Sequence, residues 1–298
     1  MPLPPLSSPA SWRCRLGAVV GAAPSVVFLT ATLLAFNLLQ SLSLIVLPLS
    51  GRLFRAINRW AADTWWGWCV IVGQRVYGVR LVVTGDDVPC RENAVVVANH
   101  QQMPDIAVLM ALARSKQRLG DLKWFVKKPI KYVPGVGWGM AFLDCLFVSR
   151  TWTADRASIE QTFARLLAHR VPLWLISFVE GTRISTAKLQ RAATYATQLQ
   201  VPAPKHVLIP RTKGFVASVQ GLRTHIDAVY DVTIGYEQGV PSLWQYMLGF
   251  ARVAHLHVRR YPVAGLPTED EHVAAWLLER FREKDQLLDR YYESGVLA

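Results

Sequence analysis

The feature that most constrains this fold is a run of 36 residues without a charged side chain, from Leu16 to Gly51. A membrane-spanning helix needs about 20 apolar residues. The run is therefore too long for one upright helix and too short for two full spans. Three arrangements fit it: one tilted span from about Ser25 to Leu47, a shallow helical hairpin, or a re-entrant pair. Each predicts an N-terminal membrane-embedded helical segment.

The residues on either side of the run indicate how it is processed and oriented. Residues 1–15 form a leader rich in Pro and Ser, without an acidic residue. The apolar run is too long for a signal peptide, and no small-residue cleavage site follows it. We therefore expect an uncleaved anchor, with an organellar transit peptide as the alternative. Two arginines precede the run and three follow it, at Arg52, Arg55 and Arg59, which favours a cytosolic location for the second flank.

A tryptophan-rich segment comes next, from Trp60 to Val83. Its apolar residues recur at helical spacing with polar residues between them, which predicts an amphipathic helix. Because indole rings favour the water–lipid boundary, we expect this helix to lie in the membrane interface, with an ordinary core helix as the alternative. Residues 16–83 are thus predicted to hold the membrane-anchoring and interfacial helices.

The charge is concentrated in two basic stretches of a chain whose formal net charge is +12. Seven Lys and Arg lie between Arg114 and Lys131 against one acid, and no Asp or Glu occurs from Gly181 to Ile226. No nucleic-acid-binding signature accompanies these stretches, so a nucleic acid partner is not expected. An anionic lipid surface together with a bound phosphate accounts for both the charge and the hydrophobicity.

The remainder, residues 84–298, is predicted to be one α/β domain: a mixed sheet covered by helices. The expected strands are Ala94–Ala98, Lys123–Val126, Leu146–Val148, Pro172–Val179, Val207–Ile209, Ala228–Gly235 and His255–Val258. The expected helices are Ile106–Leu112, Val136–Leu143, Asp155–His169, Thr186–Gln200, and a C-terminal helix to about Tyr292 that opens with a capping box at Thr268–Glu271.

A histidine and an aspartate follow the first of these strands, at His100 and Asp105. Five residues are about 500° of helical rotation, so the two would not share a face of one continuous helix. Pro104 resolves this, because proline suits the first helical position and leaves His100 in the loop before the helix. The carboxylate can then bond Nδ1–H and leave Nε2 as a general base.

Two further strand ends carry basic residues. Glu180-Gly181-Thr182-Arg183 follows the strand Pro172–Val179, and Pro210-Arg211 follows Val207–Ile209. The glycine permits a tight turn with close approach of a ligand, and a guanidinium offers paired donors to phosphate oxygens. Since open α/β sheets bind ligands at the carboxyl ends of their strands, we expect these segments to converge on His100.

A histidine base without a protein nucleophile indicates a particular kind of reaction. The chain has no Gly-x-Ser-x-Gly turn, and no Cys or Ser stands in a recognisable nucleophile context. The four cysteines have no metal-ligand spacing, so neither a metal nor a cofactor is expected. A base alone suffices when the acyl donor is an activated thioester and the acceptor brings its own hydroxyl. These residues therefore predict acyl transfer to a lysophospholipid.

These segments resemble the conserved blocks of the glycerolipid acyltransferase family. Asn99-His100 with Asp105 is similar to its first block, and Glu180-Gly181-Thr182-Arg183 to its third. The stretch from Lys127-Lys128 through Val133–Trp138 to Arg150 resembles the second block, and Ile209-Pro210-Arg211 the fourth. Phe178–Arg183 and Val207–Phe215 look especially like the plant-type lysophosphatidic acid acyltransferases. Four blocks in order cover nearly the whole chain.

The resemblance implies the activity and the site. It implies transfer of an acyl group from acyl-CoA, as co-substrate, to the sn-2 hydroxyl of lysophosphatidic acid at a membrane, with the endoplasmic reticulum expected and an organellar membrane as the alternative. It implies that His100 and Asp105 are catalytic, that residues 84–298 are the acyltransferase domain, and that substrate is bound by Glu180, Gly181, Thr182, Arg183, Lys127, Lys128, Arg150 and Arg211.

Departures from the plant-type pattern leave the acceptor's head group open. Gln101-Gln102-Met103-Pro104 replaces Arg-Ser-Asp-Ile, and Ile106 stands where a tryptophan is usual. A lysophospholipid with another head group, such as lysophosphatidylinositol or lysocardiolipin, is therefore the alternative acceptor. From another functional class, the alternative is a catalytically inactive membrane scaffold, which the intact His100 and Asp105 argue against.

Overall fold

A seven-stranded mixed sheet forms the centre of the protein. The computed structural model describes residues 5–9, 11–149, 151–198 and 202–297. The strands are β1 (Arg80–Gly85), β2 (Ala94–Ala98), β3 (Leu122–Lys127), β4 (Leu146–Val148), β5 (Trp174–Ser177), β6 (Ala228–Tyr236) and β7 (Val253–Pro262). They lie in the order β1-β7-β6-β2-β5-β3-β4, and every pairing is parallel except β6 with β7. This confirms the predicted mixed α/β sheet.

Helices cover both faces of the sheet. Their bounds are α1 (Trp12–Leu42), α2 (Gly51–Ile71), α3 (Pro104–Ser115), α4 (Val136–Phe142), α5 (Trp152–Ala168), α6 (Thr186–Gln198), α7 (Thr212–Leu222), α8 (Leu243–Met247) and α9 (Asp270–Ser294). Alternate residues of β2 point to opposite faces: Val96 packs with α2 and α3, and Val95 packs with α5, α7 and α9. All residues of β2, β5 and β6 are buried, which explains the continuous apolar sequence of β2 and the mostly apolar sequences of β5 and β6.

The long uncharged run forms most of one helix. α1 begins at Trp12 and continues through Pro24, so the helix starts thirteen residues before Ser25, where the predicted tilted span begins. With the 3₁₀ turn that follows, the helical stretch Trp12–Ile45 is long and apolar enough to cross a membrane, and it is mostly exposed. Its 31 α-helical residues extend about 46 Å, which is more than the hydrocarbon thickness of a bilayer.

The tryptophan-rich segment packs mainly against protein. α2 begins at Gly51, where the Ser50 hydroxyl accepts a hydrogen bond from the backbone N–H of Leu53, and it ends at Ile71. The predicted helix to Val83 is therefore wrong at its end, because Arg80–Gly85 pairs with β7 as a strand. Trp66 is buried in the core, and the Trp68 ring packs at a tilt against the rings of Phe28 and Phe36 in α1. The indole rings thus join α1 to the domain. Of the four tryptophans of α2, which are Trp60, Trp65, Trp66 and Trp68, Trp60 is the most exposed.

Several other predicted elements differ from the structure. Val207–Ile209 is irregular rather than a strand, and α7 follows it unpredicted. The C-terminal helix begins at Asp270, and its N-cap residue Glu269 makes no side-chain cap bond, so the capping box at Thr268–Glu271 does not form. Asp270 and Glu271 still place negative charge in the first turn, where the helix dipole favours it. The last two residues of the predicted helix Thr186–Gln200 lie outside the described residues.

One buried carboxylate fastens α2 to the sheet. Asp121, in the 3₁₀ turn before β3, accepts hydrogen bonds from Arg59 of α2 at 2.5 and 3.1 Å and from Arg118 at 3.0 Å. Its side chain is 2% exposed. Because a buried charge is costly unless it is paired, the Asp121 carboxylate depends on both arginine contacts.

We expect Asp121→Asn to lower the free energy of unfolding by about 3 kcal/mol, because it leaves the buried Arg118 guanidinium without a counter-charge. Denaturant titration of the detergent-solubilised protein measures this. The control is Asp87→Asn, whose carboxylate pairs with Lys116 but is 98% exposed and should change stability by less than about 1 kcal/mol. Equal effects of the two substitutions would contradict a structural role for Asp121.

Candidate active site

A histidine–aspartate pair lies at the carboxyl end of β2. The Nδ1 atom of His100 is 2.9 Å from Oδ2 of Asp105. Pro104 occupies the first turn of α3 with Met103 at the N-cap, as the sequence predicts, so Asp105 reaches back toward the loop that holds His100. A carboxylate on Nδ1 favours the tautomer with its proton there and leaves Nε2 as a proton acceptor. The pair thus has the geometry of an oriented general base.

The Asp105 carboxylate is held from several sides. Oδ2 also accepts hydrogen bonds from the backbone N–H groups of Gln101 and Gln102 at 2.6 and 2.8 Å, and Oδ1 accepts one from the Tyr236 hydroxyl at 2.7 Å. Asp105 is fully buried. Burial, reinforced by the Asp105 charge, raises the pKa of Tyr236 well above its usual range, so the phenol stays protonated and donates. The carboxylate is therefore fixed before any substrate arrives.

The His100 ring is fixed from its face. The Phe178 ring stacks on the imidazole with centroids 4.0 Å apart and planes inclined by 15°. The backbone carbonyl of His100 accepts a hydrogen bond from the N–H of Ile184 at 2.9 Å, which ties the histidine loop to the loop after β5. The His100 side chain is 13% exposed. Only a small part of the ring is thus open to a reacting group.

The loop after β5 contains the residues Glu180-Gly181-Thr182-Arg183. Gly181 has φ of +70°, a left-handed conformation that side chains rarely adopt. A Cβ atom there would also lie 3.0 Å from Nε of Arg211. The first observation favours glycine, and the second shows that the Arg211 side chain lies directly against this loop. The backbone N–H of Arg211 donates to the carbonyl of Val179 at 2.8 Å, so the two segments converge although Val207–Ile209 is not a strand.

Glu180 points into the protein. It is 3% exposed, and neither carboxylate oxygen makes a hydrogen bond of normal geometry with the residues that the structure describes. Burial raises the pKa of Glu180 well above its usual range; the nearby backbone N–H groups of Leu208 and His100 offset this only in part, and the charge of Asp105 adds to it. Burial thus favours the protonated form of this interior carboxyl group, and the contact of Glu180 with a substrate remains a prediction.

Cations surround the open side of the site. The Arg183 guanidinium is exposed and donates to Oε1 of Gln102 at 3.0 Å, and Lys188 donates to the Thr182 hydroxyl at 2.7 Å. Lys127 ends β3, and Lys128 begins the turn after it. Because β3 runs parallel to β5, both lysines lie at the same edge of the sheet as Arg183. Arg150 lies outside the described residues. The predicted phosphate-binding residues that the structure describes, apart from Glu180, therefore share one edge with His100.

Some residues of the site lack a local sequence signal. Tyr236 is 131 residues from Asp105, and it reaches Asp105 because β6 pairs with β2 and extends four residues past it. Gln101 donates to the carbonyl of Ile234 at 2.7 Å and to the Tyr292 hydroxyl of α9 at 3.3 Å. Within the described ranges no cluster of three or more His, Cys, Asp or Glu side chains is arranged to hold a metal ion. The predicted absence of a metal remains a prediction.

Comparison with known families identifies most of the chain. The profile of the family described as "Acyltransferase" matches residues 80–237, and that described as "Acyltransferase C-terminus" matches residues 245–298. The chain is 37% identical over 265 residues to 1-acyl-sn-glycerol-3-phosphate acyltransferase 2 of Brassica oleracea, which covers 87% of this chain and 68% of that protein. It is 34% identical to lysocardiolipin acyltransferase 1 of Danio rerio, over 79% of this chain and 63% of that protein.

A solved structure has the same fold. It is the crystal structure of the 1-acyl-sn-glycerophosphate (LPA) acyltransferase PlsC from Thermotoga maritima, which aligns with a TM-score of 0.50. The alignment covers 88% of this chain and 98% of that one, at 19% sequence identity. At this identity the likeness concerns the arrangement of helices and strands.

We expect Glu180→Gln to be more stable than the wild type at pH values above about 4.5. Because its folded-state pKa is raised, Glu180 keeps its proton in the folded chain while the unfolded chain ionises, so wild-type stability falls as pH rises from the unfolded pKa toward the folded one. Glutamine mimics the protonated form and removes this slope. Denaturant titrations from pH 5 to pH 9 measure it.

The matched control is Glu160→Gln, in which an exposed carboxylate paired with Arg156 is lost. Its stability profile should run parallel to that of the wild type. A Glu180→Gln profile that also ran parallel would show that Glu180 is ionised in the folded protein.

Proposed function

The chain belongs to the acyltransferase family, and on that premise we propose that it transfers a fatty acyl group from acyl-CoA to the sn-2 hydroxyl of 1-acyl-sn-glycerol-3-phosphate (lysophosphatidic acid), forming phosphatidic acid. The observation that carries the proposal is the 2.9 Å contact of His100 Nδ1 with the fully buried Asp105, at a sheet edge lined by cations. A histidine held in this way is a general base for a hydroxyl.

The reaction needs no protein nucleophile. Nε2 of His100 takes the proton of the acceptor hydroxyl while that oxygen attacks the thioester carbonyl and forms a tetrahedral oxyanion. Collapse of the oxyanion breaks the carbon–sulfur bond and releases the CoA thiolate, which receives the proton from the imidazolium. Asp105 stabilises that imidazolium without taking its proton. The proposed reaction uses acyl-CoA as co-substrate and no further cofactor.

The acceptor is proposed from charge and from similarity together. Arg183 offers a planar fork of donors that fits a phosphate, and Arg211, Lys127, Lys128 and Lys188 add positive charge around it. The similarity to the Brassica oleracea enzyme supports lysophosphatidic acid, because it covers more of this chain than the similarity to the lysocardiolipin acyltransferase does. Lysocardiolipin also carries phosphate groups, and it is therefore the second candidate acceptor.

The proposed location is the endoplasmic reticulum membrane. Supporting this, α1 is apolar, mostly exposed and long enough to cross a bilayer. α1 also packs against α2 of the domain, so an inserted α1 would hold the domain at the lipid surface where both the acceptor and the acyl chain reside.

An acceptor panel tests the proposed function directly. The purified protein is supplied with oleoyl-CoA and, in turn, with lysophosphatidic acid, lysophosphatidylinositol or monolysocardiolipin, and the rate of acylated product is compared. We expect the highest kcat/KM for lysophosphatidic acid. A preference for another lysolipid would replace the proposed acceptor, and no product from any of them would reject the activity.

We expect His100→Ala to lower kcat by about a thousandfold or more, because the base for the acceptor hydroxyl is lost. Binding of the protein to lipid vesicles should not change, since α1 is untouched. The matched control is His272→Ala, an exposed histidine of α9, which should keep full activity. Near-wild-type turnover of His100→Ala would refute the assignment of the base.

We expect Arg183→Ala to raise KM for lysophosphatidic acid by about tenfold to a hundredfold, the effect of losing a charge-assisted hydrogen bond, with a smaller change in kcat. The control is Arg191→Ala, an exposed arginine of α6 in the same basic stretch. Its KM should stay within about twofold of the wild type. An unchanged KM in Arg183→Ala would count against its contact with the acceptor phosphate.

A further inference from the structure

A large basic cavity lies at the edge of the sheet opposite His100. Its volume is about 630 Å³, and it lies between the start of α2, the turn Gly120–Asp121 and the end of α5. Lys123 at the amino end of β3 and Pro172 just before β5 line it. Because β3, β5 and β2 are parallel and His100 follows the carboxyl end of β2, this cavity is separated from the active site by the length of the strands, about 20 Å.

The charge of the cavity is uncompensated. Both acids that line it are already paired: Asp121 with Arg59 and Arg118, and Asp144 with Arg165 at 3.1 Å. The other charged residues that line it are positive, and no carboxylate among the described residues pairs with them; they are Arg52, Arg55, Lys123 and Arg170. The site therefore attracts an anion.

The strongest indication is Lys123, which is 4% exposed. Its ammonium makes no hydrogen bond or ion pair with any residue that the structure describes. Burial lowers its pKa, and the nearby Cys145, Asp121 and Asp144 offset this only in part. The other deeply buried lysine is different: Lys284 of α9 contacts the Asp231 carboxylate at 2.6 Å and the Val232 carbonyl at 2.6 Å. An ammonium taken out of water without a partner is costly, so a lysine facing a cavity in this state is suited to a ligand that supplies the negative charge.

We propose that this cavity binds the phosphate group of a phosphate ester, separately from the catalytic site. Arginine and lysine together are the residues that bind phosphate oxygens, and the guanidinium groups of Arg52 and Arg55 supply the forked donors. The ester is either an anionic phospholipid or a soluble phosphate ester, since both present the same group.

The position of the cavity favours a phospholipid. Arg52 and Arg55 lie in the first turns of α2, just after the apolar helix α1 and its 3₁₀ turn. Leu49 and Leu53 beside them are 84% and 51% exposed, and Phe142 and Leu143 give the cavity an apolar wall. Apolar side chains around a cluster of cations match a lipid whose head group is anionic and whose acyl chains are apolar.

The test counts phosphatidic acid molecules bound to the full chain. Wild-type protein in detergent is mixed with dioleoyl phosphatidic acid, and bound lipid is counted by native mass spectrometry. We expect Lys123→Met to bind one molecule fewer than the wild type, while Lys116→Met, whose lysine pairs with Asp87 outside the cavity, binds the same number as the wild type. Arg52→Gln, an exposed position, should weaken the same binding event about tenfold without affecting folding.

Two further measurements separate this site from the catalytic one and from a merely structural lysine. The difference of one lipid between wild type and Lys123→Met should persist in an Arg183→Ala background, so it does not depend on the proposed function. Without lipid, Lys123→Met should melt at the same temperature as the wild type or higher, because it removes an unpaired buried charge.

The outcomes are decisive in each direction. If phosphatidic acid binding is unchanged but binding of sn-glycerol 3-phosphate requires Lys123 and Arg52, the site is a phosphate site for a soluble ester. If neither ligand depends on these two residues, the proposal is wrong. A lower melting temperature for Lys123→Met, together with normal lipid binding by Arg52→Gln, would make Lys123 a structural residue and also overturn it.

Discussion

The site depends on the hydrogen bonds that the buried carboxylate of Asp105 accepts. One oxygen bonds the imidazole of His100 and two backbone N–H groups of the histidine loop, and the other bonds the Tyr236 hydroxyl. A buried ionised carboxylate persists only if its lone pairs are satisfied. Satisfying them fixes the strand-to-helix loop, the start of α3 and the end of β6 relative to one another. The contacts that orient the His100 imidazole therefore also hold these three segments of the fold together.

The C-terminal helix supports this arrangement from behind the sheet. Lys284 of α9 is buried against Asp231 of β6, and Tyr292 reaches Gln101 beside the catalytic pair. Asp285 accepts hydrogen bonds from the backbone N–H groups of residues 205–207, just before Arg211. The helix thus holds β6, the histidine loop and the segment that carries Arg211. This explains physically why a segment without catalytic residues of its own belongs to the folded unit.

The two phosphate ligands that we propose would account for the excess of positive charge at both edges of the sheet. At the carboxyl edge the cations surround His100; at the amino edge they line a cavity and include Lys123, which is buried without a hydrogen bond or ion pair to the described residues. A net charge of +12 shows only that anionic partners are favoured. The distribution of the cations over two edges is visible only in the fold, and it is the reason for proposing a second phosphate ligand apart from the reacting substrate.

The sequence by itself determined what depends on neighbours along the chain. Short apolar runs specified β2 and β4 to the residue, the uncharged run specified an apolar helix, and Pro104 specified how Asp105 turns back to His100. Only the tertiary structure decided the rest, because it depends on partners far away in sequence. Strand pairing brought Tyr236 to Asp105, and core packing drew Trp66 of α2 inward. Burial raised the pKa of Glu180 and left Lys123 facing a cavity. The local sequence pattern determines the backbone conformation and the kinds of functional group that are present. Desolvation and pairing determine the charge and hydrogen bonding of each polar group, and they arise only once distant segments meet.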